Sequence, residues 1–285
     1  MSQMAARPKP TFRRRLSRWL RIIAVLYLLA CTVTAIFQRR LIYFPPVFTP
    51  GQVEQSGAGE RLERWTSPSG KPIGWKRVSP VQPAQGRVLV THGNAGCAFQ
   101  CGHYADAIQP AAALDIFMVE YPGYADRPGK PSERTLCEAS DEAFQLLSAH
   151  GPVHLVGESL GTGVAAYLAG RYPDKVAGVA LLAPYVRLAD VAQSHVFIIP
   201  VHLLLRDRFP AQEHLGNYHG PVAMLVAGKD RVIPERFGRR LFDGYAGPKR
   251  LWEFPGCSHD TLMFQPTEIW REIITFWETN RRPDQ

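Results

Sequence analysis

The five residues Gly157-Glu158-Ser159-Leu160-Gly161 have the composition of a turn that presents a nucleophile. They follow a β-like apolar run, Val153-His154-Leu155-Val156, and open a helical pattern over 164–171. The outer glycines let the backbone turn sharply without a Cβ clash, which forces the serine to the tip with its Oγ exposed at the end of a strand. The same residues also fit a plain strand-to-helix turn whose serine caps the helix. The partners of the serine therefore have to decide between the two.

A serine hydroxyl needs a base to take its proton and a third group to fix the tautomer of that base. Both are supplied downstream in the order serine, acid, histidine. Asp230 lies in Val226-Ala227-Gly228-Lys229-Asp230-Arg231, where an apolar run ends in a glycine turn, and His259 lies in Pro255-Gly256-Cys257-Ser258-His259-Asp260. An oxyanion site is expected from the backbone amides of Asn94, in Thr91-His92-Gly93-Asn94-Ala95-Gly96, and of Leu160. Other groups have blander readings. His92 is expected to be a structural hydrogen-bonding residue, Asp190 is a weaker alternative acid, and Glu158 is expected to point away from the serine because neighbours at a sharp turn diverge.

Short apolar runs and longer helical patterns alternate along most of the chain. Strands are expected at 62–66, 73–77, 87–91, 116–121, 153–156, 178–182, 222–226 and 250–254. Helices are expected at 101–114, 132–149, 160–172, 235–242 and 267–280. Strict alternation from residue 87 predicts an α/β fold with a mainly parallel, doubly wound sheet and helices on both faces, the first two strands forming an antiparallel edge. Asp230 and His259 then fall on loops at the carboxyl edge, where open α/β sheets gather their ligands. Residues 187–219, with the apolar run 196–205, interrupt the alternation and read either as a small cap over a pocket or as a packing helix broken at Pro200.

The series HGNAG, VEYPGY, GESLG, GKDRVIP and a histidine after the last strand resembles the α/β-hydrolase superfamily. More narrowly, it is similar to the membrane-anchored or membrane-associated α/β-hydrolase-domain serine hydrolases, a branch that includes protein depalmitoylases. The resemblance implies Ser159 as nucleophile, Asp230 as acid and His259 as base. Two details depart from that branch: two residues separate Gly256 from His259, and Cys97 stands where relatives often carry Asn.

Charge is concentrated at one end. Residues 1–40 hold nine Lys or Arg and no Asp or Glu, which leaves 24 basic against 25 acidic groups in the remainder. The high isoelectric point therefore belongs to the amino-terminal arm, and a nucleic-acid partner is not expected. After the arm, the uncharged run IIAVLYLLACTVTAIF is flanked by Arg21 and by Arg39-Arg40. The division expected is a basic cytoplasmic arm over 1–18, a transmembrane anchor or signal over 19–38, and a hydrolase domain over 45–285 with a cap at about 187–219. The basic bias predicts a cytoplasmic amino terminus with the catalytic domain on the extracytoplasmic side. An uncleaved anchor is favoured. Leu28-Leu29-Ala30-Cys31 also reads as a lipobox for lipoprotein anchoring at Cys31, and Val33-Thr34-Ala35 as an ordinary cleavage site.

The five cysteines form no zinc pattern, and Cys97 and Cys101 are awkwardly spaced for a disulfide. No cofactor or metal is called for. The expected protein is a membrane-tethered serine hydrolase acting on an acyl ester, acyl thioester or lipid-like small molecule through an acyl-enzyme. The alternative is a non-catalytic module of the same fold that binds or scaffolds at a membrane.

Overall fold

The computed structural model describes residues 12–281. Arg7 and Lys9 of the basic arm lie outside the described residues, as do the last four positions of the expected domain. Eight strands form one sheet: β1 (Glu63–Thr66), β2 (Pro72–Arg77), β3 (Gly86–Thr91), β4 (Leu114–Val119), β5 (Val153–Glu158), β6 (Val176–Leu182), β7 (Val222–Ala227) and β8 (Lys249–Phe254). Their order is β1-β2-β4-β3-β5-β6-β7-β8. Pairing is antiparallel from β1 to β2 and from β2 to β4, and parallel everywhere else. This is the α/β-hydrolase architecture, with the antiparallel edge where the alternation placed it.

The helices are α1 (Phe12–Ile42), α2 (Pro50–Gly59), α3 (Gly102–Ile108), α4 (Glu133–Ser148), α5 (Leu160–Arg171), α6 (Leu188–His195), α7 (Val201–Leu204), α8 (Ala211–Leu215), α9 (Glu235–Gly244), α10 (His259–Leu262) and α11 (Thr267–Thr279). Every residue of β6 and β7 is buried, as expected of central parallel strands covered on both faces. Trp270 and Trp277 of α11 close one side of the core, while Tyr185, Phe209 and Tyr218 are buried elsewhere in it. The wholly apolar inner length of α5 suits a helix that is buried on nearly all sides.

Three expectations needed revision. The Pro-, Gly- and Ser-rich stretch over 45–70, whose composition predicts a surface segment, instead carries a packed helix: Thr49 caps α2 in a box with Gln52, and Pro50 occupies the first turn. Val53 of that helix is buried, and Gly57 lies against the Trp75 ring. The helix expected over 101–114 ends at Ile108, because Pro110 supplies no amide to continue it, and the chain is already in β4 by Leu114. The insertion at 187–219 divides into two parts. Phe209 and α8 pack into the core beside α5, whereas 196–204 lies at the surface, held by Val201 in a small cluster with Ala189 and Leu205, with an irregular stretch before Pro200.

The first helix is 31 residues long, about 46 Å at the usual rise. Only Cys31 and Gln38 of it are buried. It is long and apolar enough to cross a membrane. Its last turn is fixed to the body. The Arg39 guanidinium donates to both carboxylate oxygens of Asp207 at 2.9 and 3.1 Å, and the Tyr43 hydroxyl donates to the same carboxylate at 3.1 Å. Gln38 donates to the Leu204 carbonyl and accepts the Arg206 amide.

Candidate active site

Ser159 follows the last residue of β5 and precedes the first of α5, and its backbone is held at φ 50°, ψ −120°. That is a left-handed conformation which costs a non-glycine residue of the order of 1–3 kcal/mol and persists only when the surroundings impose it. The surroundings are tight. A Cβ at Gly161 would stand 2.0 Å from the Thr91 carbonyl oxygen, and one at Gly157 would stand 2.8 Å from that of Gly161. The two glycines let β5, α5 and the end of β3 approach until only backbone separates them, and the serine is the residue left at the apex.

His259, the first residue of α10, turns its Nε2 to Ser159 Oγ at 3.0 Å and its Nδ1 to Asp230 Oδ2 at 2.7 Å. Ser258 caps that helix in a box with Thr261, which fixes the backbone from which the imidazole projects. The Asp230 carboxylate is wholly enclosed, and the imidazole is largely so. The other oxygen of Asp230, Oδ1, accepts the amides of Val232 at 2.8 Å and Ile233 at 2.7 Å. Three donors thus surround one buried carboxylate, so it is satisfied as an anion and directed at the imidazole. With a proton on Nδ1 facing Asp230, Nε2 carries the lone pair that can accept the serine proton.

Of the expected oxyanion donors, Leu160 follows the serine directly, and the loop carrying Asn94 passes close by at Gly93, where an added Cβ would stand 3.5 Å from Ser159 Cβ. The Leu160 amide is the first in α5 and has no partner within the helix. The Asn94 amide makes no hydrogen bond to protein among the described residues. The loop carrying it is braced: Gly93 donates to Glu158 Oε1 at 2.8 Å, and Tyr104 donates to Oε2 at 2.7 Å. Glu158 therefore holds the neighbouring loop rather than the reacting centre. His92 is also a brace. It is buried, its Nδ1 faces the Gly93 carbonyl at 2.8 Å, and its Nε2 faces Glu120 Oε1 at 3.1 Å. Asp190 lies on α6 with its carboxylate 3.7 Å from His202, while the His259 imidazole meets Asp230.

Two contacts had no signal in the motifs. The Asn94 side chain reaches back to the end of α1, donating to the Ile42 carbonyl and accepting the Phe44 amide. His195 at the end of α6 meets the Val232 carbonyl at 2.9 Å, on the loop that carries Asp230. All five cysteines are free, and burial pushes the thiols of Cys97, Cys101 and Cys137 up, away from reactivity.

The fold and this site define a hydrolase of the α/β class, and the chain belongs to the α/β-hydrolase family. The profile described as alpha/beta hydrolase fold matches residues 86–212. The uncharacterized protein Rv2307c of Mycobacterium tuberculosis is 33% identical over 254 residues, covering 85% of this chain and 89% of that protein. Lysophosphatidylserine lipase ABHD12 of Danio rerio is 28% identical over 208 residues, covering 66% of this chain and 54%, about half, of its own length. Among solved structures, the monoacylglycerol lipase of Paleococcus ferrophilus superposes with a TM-score of 0.56 at 20% identity, over 77% of this chain and 99% of that one, a likeness of fold. Family membership together with relatives named as lipases supports ester hydrolysis by this chain.

Proposed function

We propose that this protein is a membrane-tethered serine hydrolase that cleaves acyl esters or acyl thioesters through an acyl-enzyme, with Ser159, His259 and Asp230 as its triad. The observation that carries the reading is the unbroken hydrogen-bond chain from Asp230 through His259 to a serine held in a strained backbone conformation. Ser159 Oγ attacks the carbonyl carbon while His259 Nε2 takes its proton. The Leu160 and Asn94 amides receive the developing negative charge on the carbonyl oxygen. Collapse of the tetrahedral intermediate expels the alcohol or thiol, protonated by His259, and water then repeats the sequence to release the acid. Asp230 keeps Nδ1 protonated and stabilises the imidazolium.

The anchor reading rests on the length and exposure of α1 and on basic residues at both its ends. The positive bias favours a cytoplasmic amino terminus and a catalytic domain over 45–285 on the extracytoplasmic side. Membrane residence favours acyl or lipid-like substrates, which concentrate there.

Labelling of purified wild type, Ser159→Ala and His259→Ala with a fluorophosphonate tests the chemistry. Labelling confined to the wild type supports the triad. A folded wild type that stays unlabelled sinks the hydrolase reading in favour of a non-catalytic binding module.

A further inference from the structure

Residues 196–204 carry the largest apolar exposure outside α1: Phe197 is 85% exposed, Ile198 76% and Leu203 80%. Solvent exposure of three such side chains in one short segment calls for a partner. The segment lies along α1. The Tyr27 hydroxyl, within the apolar run of that helix, donates to the Ile198 carbonyl at 3.0 Å, while Gln38 bonds to Leu204 and Arg206. The 11 positions from Tyr27 to Gln38 correspond to about 16 Å of helix, so the loop runs beside the apolar stretch and not merely at its end.

The backbone of the loop is also handled unusually. Gln193 Nε2 donates to the carbonyls of Val196 at 2.8 Å and Ile199 at 3.1 Å, and its Oε1 accepts the Val201 amide at 2.9 Å. With the Tyr27 bond, three of the four carbonyls from Val196 to Ile199 are capped by side chains. Irregular backbone is tolerated near hydrocarbon only when its polar groups are met in this way. The amides of Phe197, Ile198 and Ile199 make no such bond among the described residues.

We propose that residues 196–204 form an apolar wedge seated beside α1 in the leaflet on the catalytic-domain side of the membrane, so that the enzyme draws its acyl substrate from the bilayer. The proposal rests on reading α1 as an anchor and Ser159 as the nucleophile. The wedge adjoins the site because His195, at its base, holds the Val232 carbonyl of the loop whose next bond is Val232 to Asp230.

The test uses the full chain in phosphatidylcholine vesicles. Phe197→Trp is compared with wild type, and the added fluorescence is challenged with acyl-chain-brominated lipid and with aqueous iodide. Quenching by the brominated lipid and protection from iodide is the expected result. Quenching by iodide alone overturns the proposal, and so does protection from both, which would mark a protein partner on this face. In parallel, a Phe197→Ser, Ile198→Ser, Leu203→Ser triple variant is assayed on a water-soluble short-chain ester and on a long-chain acyl lipid in the vesicles. The expected loss is about tenfold or more on the vesicle lipid and less than about twofold on the soluble ester. Unchanged hydrolysis of the vesicle lipid overturns the delivery role. If the wild type hydrolyses neither substrate while the tryptophan is quenched by brominated lipid, the hydrolase reading falls and the wedge stands.

Discussion

Asn94 grips the chain just beyond the first helix: its Oδ1 accepts the Phe44 amide at 3.2 Å while its Nδ2 donates to the Ile42 carbonyl. The same Oδ1 accepts the Tyr124 hydroxyl at 2.9 Å. The loop proposed to stabilise the oxyanion is therefore set by the exit of α1 on one side and by Glu158 on the other. Asn94→Ala keeps the backbone amide but removes three hydrogen bonds. We expect a loss of about 1–3 kcal/mol in stability and, by displacing the donor, about a tenfold fall in kcat with KM little changed. Chemical denaturation and initial rates on a soluble ester check both halves.

Strain at the serine gives a prediction of opposite sign for stability and activity. Ser159→Gly frees a residue held at φ 50° and should raise stability by about 1 kcal/mol while abolishing hydrolysis. Ser159→Ala abolishes hydrolysis without that gain, because alanine suffers the same backbone clash. Melting temperatures of the two variants side by side decide the point; equal values would mean that the conformation is not strained.

Asp230→Asn retains an oxygen able to accept the Val232 and Ile233 amides, so the loop should fold as before. The amide no longer imposes one tautomer or balances the imidazolium, and kcat should fall by about 10³–10⁴. Adding Ser159→Ala to it should lower the rate little further than Ser159→Ala alone, since the groups act as a unit.

Gly161→Ala places a methyl group where the Thr91 carbonyl stands. The neighbour is backbone and cannot swing aside, so the cost should be about 3 kcal/mol or more. Expression of folded protein and urea midpoints report it.

His154 predicts the acid limb of stability. Its ring stacks on Trp277 at 4.7 Å and its Nδ1 is buried without a partner. Burial lowers its pKa from 6.5 to about 4, with Arg281 adding to the effect against an opposing backbone contact from Arg87. Between those values the unfolded chain binds a proton that the folded chain refuses. The contribution is thus complete above about pH 6.5 and is lost as pH falls towards 4, by the order of 2–3 kcal/mol. His154→Phe keeps the stacking and should flatten that limb in urea titrations across the window.

All eight strands were legible, the central ones as short apolar runs bounded by turn residues and the edge strands β1, β2 and β8 by alternating apolar residues among charged ones, and most boundaries differ by one or two positions. The order of serine, acid and histidine was legible because each follows a strand that ends on the same edge. The cap and box at Thr49-Pro50-Gly51-Gln52 were equally readable in principle, but the surrounding Gly and Ser masked them. Contacts between distant segments were not readable: Asp207 with Arg39 spans 168 positions, and Tyr27 with Ile198 spans 171. No local pattern distinguishes an acidic residue awaiting such a partner from one facing water.

The Arg39–Asp207 pair has a consequence for reach. Asp207 is buried, and its charge is met within one turn of the end of α1. No run of free residues separates that turn from the catalytic body, so α1 behaves as a strut and not a leash. A hydrolase anchored in a membrane through such a strut would not swing out to a facing bilayer or follow a substrate into solution. On the proposed reading of α1 as an anchor, it would work in cis, on molecules that diffuse laterally to it within the same membrane.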